Sequence, residues 1–163
     1  MPQYRPPGAF YFQVTMLGQD MVPAEIDGSF EEVSGLQAEL QFETVPEGGE
    51  NRFAHRLPTR TKFSNLVLKR GLVVRGSTLS RWTAETLGAF ASKVIKPRGL
   101  NVILLGEKGD PLVTWTVYQA YPLRWQLAPL NSMDGKILTE SLELTYSYFV
   151  RKDQAPSKWG LTG

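Results

Sequence analysis

Residues 30–51 read FEEVSGLQAELQFETVPEGGEN. From Leu36 onward apolar and polar residues alternate strictly. Leu36, Ala38, Leu40 and Phe42 point one way; Gln37, Glu39, Gln41 and Glu43 point the other. A period of two over this length predicts a strand with one face on a core and one face in water. Ser34-Gly35 marks a turn before it, and Pro46 with Gly48-Gly49 ends it.

Outward from this strand the chain reads as mainly β. Residues 10–17 are rich in aromatic and β-branched side chains and predict a first strand. Asp27-Gly28 predicts a turn. A return strand is expected over residues 61–74, with Phe63, Asn65, Val67 and Lys69 on one face and Ser64, Leu66, Leu68 and Arg70 on the other. Leu79, Trp82, Thr83, Thr86, Leu87, Phe90, Ala91 and Val94 then fall at helical spacing. Ser77 or Thr78 caps that helix, Lys93 and Lys96 suit the negative end of its dipole, and Pro97 with Gly99 stops it. Residues 100–105 and 112–121 read as a hairpin closed by the loop at 106–110. A loop with Pro122, Pro129 and Asp134-Gly135 follows, then a last strand over residues 137–150. Residues 1–150 are expected to form one β domain and residues 151–163 a C-terminal extension. In the core are expected Leu40, Phe42, Trp82 and Phe90.

The bulk properties are those of an ordinary globular chain: 163 residues, 42% hydrophobic, 21% charged and a formal net charge of +2. Such a length supports a core in one domain. The net charge gives no general argument for nucleic acid. Cysteine is absent, which excludes disulfides, thiolate metal sites and cysteine nucleophiles. MPQYRPPGAF has no apolar run after a basic start, so no signal peptide is expected. The apolar runs are too short to span a bilayer, and a soluble protein made in the cytoplasm is expected. The charges are sorted along the chain. Residues 20–50 carry only acids, including Glu39, Glu43, Glu47 and Glu50; residues 52–98 carry Arg52, Arg56 and other bases, with Glu85 the one acid. Two readings follow, ordinary solvated faces or complementary surfaces that meet between subunits.

Catalytic chemistry finds little to work with. His55 is the one histidine, which rules out a histidine metal cluster within one chain. No Gly-x-Ser-x-Gly nucleophile elbow occurs. Residues 71–78, GLVVRGST, have the spaced glycines and hydroxyls of a phosphate loop but lack its lysine, and read as a strand end and helix cap. Glu31-Glu32 face opposite sides of a strand. The basic residues have no recognition helix or base-stacking motif beside them. No catalytic, cofactor-binding or metal residue is assigned.

Five segments together resemble the tail tube proteins of contractile-tailed phages and related contractile injection systems. They are FEEVSGL (30–36), EGGEN (47–51), KFSNLVLKRG (62–71), LVTWTVYQAYPLRW (112–125) and ESLELTY (140–146). Each is weak alone; in this order they cover nearly the whole domain. The resemblance implies a β-sandwich or split barrel with one flanking α-helix. It also implies hexameric rings in which sheets join between subunits into a ring-shaped β-barrel, and rings that stack into a hollow tube inside a sheath. No enzyme activity and no cofactor are implied. The implied partners are the chain itself, sheath and baseplate or spike proteins, and DNA or protein cargo in the lumen, without membrane insertion; the implied location is an assembled phage tail or extracellular particle. The basic segment 51–61, residues 1–8 and residues 153–163 depart from the usual tube subunit, and a baseplate-proximal, tube-initiating paralogue stays open.

On this reading the polar-faced strand is an assembly element. A lone protein with long open strand edges invites aggregation, whereas edges joined in a closed ring disappear. Gln37, Glu39, Gln41 and Glu43 are the lumen-facing candidates. Glu47, Gly48, Gly49, Glu50, Asn51, Arg52 and Arg56 are the candidates for contacts between subunits and stacked rings. The rivals outside this class are a monomeric β-barrel that holds a small ligand and, more weakly, a hydrolase, which would need His55 near an activated serine.

Overall fold

The computed structural model describes residues 10–18, 23–46, 48–49, 54–71, 76–88, 94–128 and 138–153. The strands are β1 (Tyr11–Leu17), β2 (Pro23–Phe30), β3 (Glu32–Ser34), β4 (Ala38–Pro46), β5 (Ala54–Phe63), β6 (Leu66–Gly71), β7 (Arg98–Leu105), β8 (Pro111–Leu127), β9 (Thr139–Thr145) and β10 (Tyr148–Asp153). The one helix among the described residues, α1, runs Thr78–Leu87 between β6 and β7. The fold is mainly β, as the sequence predicts.

A long antiparallel ribbon organises the molecule. β8 pairs with β9 over its C-terminal half and with β10 over its N-terminal half. The ribbon is kinked where Gln119 takes φ 53° on β8 and where Tyr146 and Ser147 interrupt the facing strand. Ser147 N–H donates to the Tyr118 carbonyl at 3.0 Å across the kink. One end of the ribbon carries β7, β1 and β2; the other carries β6 and β3. These two halves face each other as a split barrel, not closed within the subunit, with Val14, Phe30, Leu66, Leu68, Leu100 and Leu144 between them.

Several boundaries differ from expectation, each for a local reason. Asp27-Gly28 makes a bulge inside β2, not a turn: the register against β1 slips between Ser29 and Ile26, and Gly28 supplies φ 108°. Pro122 does not end β8, because the ladder to β9 is irregular between Pro122 and Arg124, where a missing N–H is tolerated. The last strand is two strands, and β10 continues to Asp153, past the expected boundary at residue 150.

Helix α1 is shorter than its apolar spacing suggests. Ser77 caps it by accepting the Ser80 N–H at 3.2 Å, as expected, and Leu79, Trp82 and Thr83 are buried. It ends at Gly88, whose N–H donates to the Ala84 carbonyl at 2.8 Å. Lys96 therefore lies beyond the helix, where its carbonyl accepts the Trp82 indole N–H at 3.0 Å. Phe90 and Lys93 lie outside the described residues.

Gly35, between β3 and β4, is a position that requires glycine. Its φ is +88°, and a Cβ there would sit 1.7 Å from the Asn65 carbonyl oxygen. The Tyr146 hydroxyl donates to the Gly35 carbonyl at 3.0 Å, and burial pushes that phenol above its ordinary 10.0. Gly35→Ala combines a clash with a left-handed backbone, and a loss of at least ~1–3 kcal/mol is expected. Urea unfolding of the purified subunit measures it; an unchanged midpoint would mean that the close crossing of residues 35 and 65 does not form.

Candidate assembly interface

β4 and β5 form a two-stranded sheet of their own. They continue β3 and β6 beyond the body: Gly35 to Gln37 joins β3 to β4, Ser64-Asn65 joins β5 to β6, and Ser64 N–H bonds the Gln37 carbonyl at 3.2 Å. The ladder runs from Ala38↔Phe63 at the base to Pro46↔Ala54 near the tip, with a bulge at residues 59–60 opposite Gln41. At the tip, Gly48 and Gly49 lie in an exposed turn and Gly49 takes φ 97°. Glu47, Glu50, Asn51 and Arg52 lie outside the described residues. The basic segment 51–61, which precedes the return strand expected from residue 61, is itself strand β5 from Ala54 onward, and Arg56 is on it.

The alternation places Ala38, Leu40 and Phe42 on one face with Phe63, and Glu39, Gln41 and Glu43 on the other. At the base Phe63 packs edge-on against Phe149 with ring centroids 5.6 Å apart, and against Tyr146 at 6.0 Å. The apolar face of the hairpin is thus a continuation of the core side of the sheet. The expectation that Leu40 and Phe42 lie in the core is nevertheless wrong for the subunit: Leu40 is 59% exposed and Phe42 52%. The physical reason is that the hairpin extends past the body, so α1 does not lie under it. The Arg56 guanidinium over the Phe42 ring, 4.7 Å from its centroid, is a cover of water-exposed atoms. Trp82, on the inner face of α1, is buried.

The two strands also sort charge. β4 carries Glu39 and Glu43 and no base; β5 carries Arg56, Arg60 and Lys62 and no acid. The acidic and the basic strand face each other within one subunit, which neither sequence reading of the sorted charges foresaw. Glu39 sits opposite Lys62, Arg60 Nε donates to Gln41 Oε1 at 3.4 Å, and in the body Lys69 bridges Glu32 at 2.9 Å. His55 faces Val45 across the hairpin.

Between α1 and the strands the body opens into a cavity of about 320 Å³, lined among others by Leu79, Ala84, Leu87, Trp125 and Leu142. On its wall lies an ion pair that sequence reading missed. Arg70 and Glu140 are both buried and joined through Arg70 Nε and Glu140 Oε1. Arg70 Nη2 also donates to Ser80 Oγ at 3.0 Å and Ser77 Oγ at 3.3 Å, and the Trp125 indole donates to Glu140 Oε2 at 3.1 Å. The pair therefore fastens the start of α1 to β6, β8 and β9. Its signal was present: Arg70 is in phase with Leu66 and Leu68, both buried.

The free edges follow from the ladders. Among the described residues, the C-terminal half of β8 pairs only with β9, and β4 pairs only with β5. The sheet β3–β6–β9–β8, extended by the hairpin, thus has two open sides. Among the described residues no cluster of metal-binding side chains occurs and no helix is long and apolar enough to cross a membrane.

Comparison with known proteins agrees with this geometry. A chain in the six-fold symmetrised structure of the anti-feeding prophage baseplate is similar at 27% identity and TM-score 0.73, over 94% of this chain and 98% of that one. A chain in the sheath–tube complex of an extracellular contractile injection system, in its extended state, has TM-score 0.69 at 19% identity, over 94% and 95%. The Hcp1 protein of Salmonella typhimurium shares the fold at TM-score 0.54 and 10% identity, over 89% and 87%. No curated protein sequence matches the chain. The model of the family described as T4-like virus tail tube protein gp19 matches residues 8–150, nearly the whole described body and its hairpin, and the chain belongs to that tail tube family.

Proposed function

We propose that this protein is a structural subunit of the inner tube of a contractile tail or injection system. Copies assemble into hexameric rings, and the rings stack into a hollow tube that delivers DNA or protein cargo. The observation that carries this is the hairpin, whose apolar face continues the core side of the sheet and is yet open to water. Such a surface needs a cover, and its continuous strand edges suit another copy of the same sheet. In the ring, Gln37, Glu39, Gln41 and Glu43 form the wet wall of the lumen, while Gly48, Gly49 and Arg56, with Glu47, Glu50, Asn51 and Arg52, contact neighbouring copies or the next ring. Residues 1–150 are the tube domain, with β10 extending it to Asp153. The subunit is made in the cytoplasm and acts, without enzymatic chemistry, in the assembled particle beside sheath and baseplate.

Negative-stain microscopy of the purified protein tests this directly. Rings or tubes are expected; a uniformly monomeric sample at all concentrations would favour the monomeric barrel. Assembly is also expected to weaken with salt, because exposed charges on β4 and β5 are screened beyond about 8 Å at physiological ionic strength and about 3 Å at 1 M. Light scattering that is equal at both strengths would return those charges to ordinary solvated faces.

A second reading, a tube-initiating subunit at the baseplate, is favoured by one observation. The chain of the baseplate structure shares 27% identity, against 19% for the chain of the sheath–tube complex. An initiator forms single rings that do not elongate alone; a main tube subunit elongates without help.

A further inference from the structure

We propose that the cavity beneath α1 is a socket that receives Leu40 and Phe42 of the adjoining copy's hairpin. The inference rests on the ring reading above and names which surfaces meet. If the sheet β3–β6–β9–β8 closes head to tail, its two open sides must join. The β3–β4 side of one copy then runs along the C-terminal half of β8 in the next.

Three features of the molecule fit that junction. The first is sidedness. Leu40 and Phe42 lie on the face of Phe63, the core side. Trp125, on the receiving strand, also points to the core side, since it is opposite buried Leu142 and its indole bonds the buried Glu140. In one continuous sheet both sets of apolar groups project the same way. The second is exposure. The cavity mouth carries Trp125, 51% exposed, and Leu87, 41% exposed, so hole and knob are both open in the free subunit. The third is charge. β4 has only acids, Glu39 and Glu43, and the receiving half of β8 has one charged residue, Arg124, a cation. The Arg124 side chain is 71% exposed and its ion pair with Glu143 is long, 3.8 Å, so a second carboxylate can reach its open side.

This arrangement explains why, among the described residues, the hairpin's apolar face stays more than half exposed at Leu40 and Phe42: α1 of the neighbour covers it. A knob and a hole on different surfaces make a heterologous contact, which closes into rings when the rotation permits. It also gives the Arg70–Glu140 pair a role in positioning, as it fixes both α1 and Trp125 around the opening.

The chain lacks cysteine, so introduced pairs report without background. Phe42→Cys combined with Leu87→Cys, treated with a short bifunctional maleimide, is expected to give a ladder of covalent multimers on a denaturing gel. Each single variant is expected to give none. A ladder from Phe42→Cys alone would mean that hairpins meet each other, and would overturn the socket. Rings seen by microscopy without a ladder from the double variant would also overturn it and leave the ring reading standing. No rings and no ladder, with the unmodified protein monomeric, would remove both. As a second variant, Ala84→Trp occupies the mouth; a folded subunit by circular dichroism with at least a tenfold loss of rings is expected, and undiminished rings would overturn the socket. An apolar dye that binds rings as well as free subunits would show the cavity open in the assembly, a small-ligand site and not a socket.

Discussion

Arg70→Met is expected to destabilise the subunit by about 3–5 kcal/mol, the usual cost of breaking a buried pair by removing one partner. Glu140 would then remain buried without its cation, holding one hydrogen bond from Trp125 at 3.1 Å. The loss spreads beyond the pair. Arg70 bonds Ser77 and Ser80 at the start of α1 and its guanidinium lies over the Phe30 ring, 4.9 Å from the centroid. Its removal therefore frees the helix cap from the sheet and uncovers an aromatic core residue in one step. The double variant Arg70→Met with Glu140→Leu is expected to regain most of the loss, because apolar groups of similar size often replace a buried pair at little cost. Chemical denaturation of the three variants measures both statements. A single variant as stable as the unmodified protein would mean the pair is solvated. A double variant no better than the single one would show that the hydroxyl contacts of Ser77 and Ser80, not the charges, carry the effect.

Sequence periodicity identified faces well and covers poorly. The alternation from Leu36 to Glu43 divides the strand as the hairpin divides it, and the spacing of Leu79, Trp82 and Thr83 marks the buried stripe of α1. Alternation cannot say what lies over an apolar face. For Leu66, Leu68 and Leu144 it is this chain's own core; Leu40 and Phe42 are not part of that core among the described residues, and Phe42 has only the Arg56 guanidinium over its ring there. Local signals have the same ambiguity. Asp27-Gly28 serves a turn or a bulge equally, as both need a left-handed residue, and long-range pairing with β1 chose the bulge. Pro122 looked like a stop because a central strand rarely tolerates proline, yet it falls where β8 leaves β7 and begins to pair with β9. Periodicity put Arg70 on the face of Leu66 and Leu68, where it lies, but could not name what neutralises its charge there. Its partner is 70 residues away, a distance that only the fold closes.

Leu40→Asp with Phe42→Asp is expected to leave the subunit nearly as stable as before and to abolish assembly. Exposed positions away from special backbone sites usually change stability by no more than about 0.5 kcal/mol, and both residues are more than half exposed. Were they core residues, as their alternation first suggests, even truncating Phe42 to alanine would cost ~3–5 kcal/mol. The two situations are thus separated by several kcal/mol in a single melting experiment. At a contact between copies the sign of the argument reverses. Fully burying a side chain of this size is worth roughly 1.5–3 kcal/mol; with about half of each still exposed in the free subunit, the pair contributes roughly 1.5–3 kcal/mol to each junction. At 1.4 kcal/mol per factor of ten, its loss weakens a junction on the order of ten- to a hundredfold, and a carboxylate driven into an apolar site adds its desolvation. A ring needs every junction, so the defect repeats around the circle. Circular dichroism and thermal melting should therefore look native while sedimentation shows monomer. If the variant instead melts far below the parent, the hairpin folds back onto its own body in solution; if it melts normally and still forms rings, the ring is closed by other edges and the apolar face of β4 serves another partner.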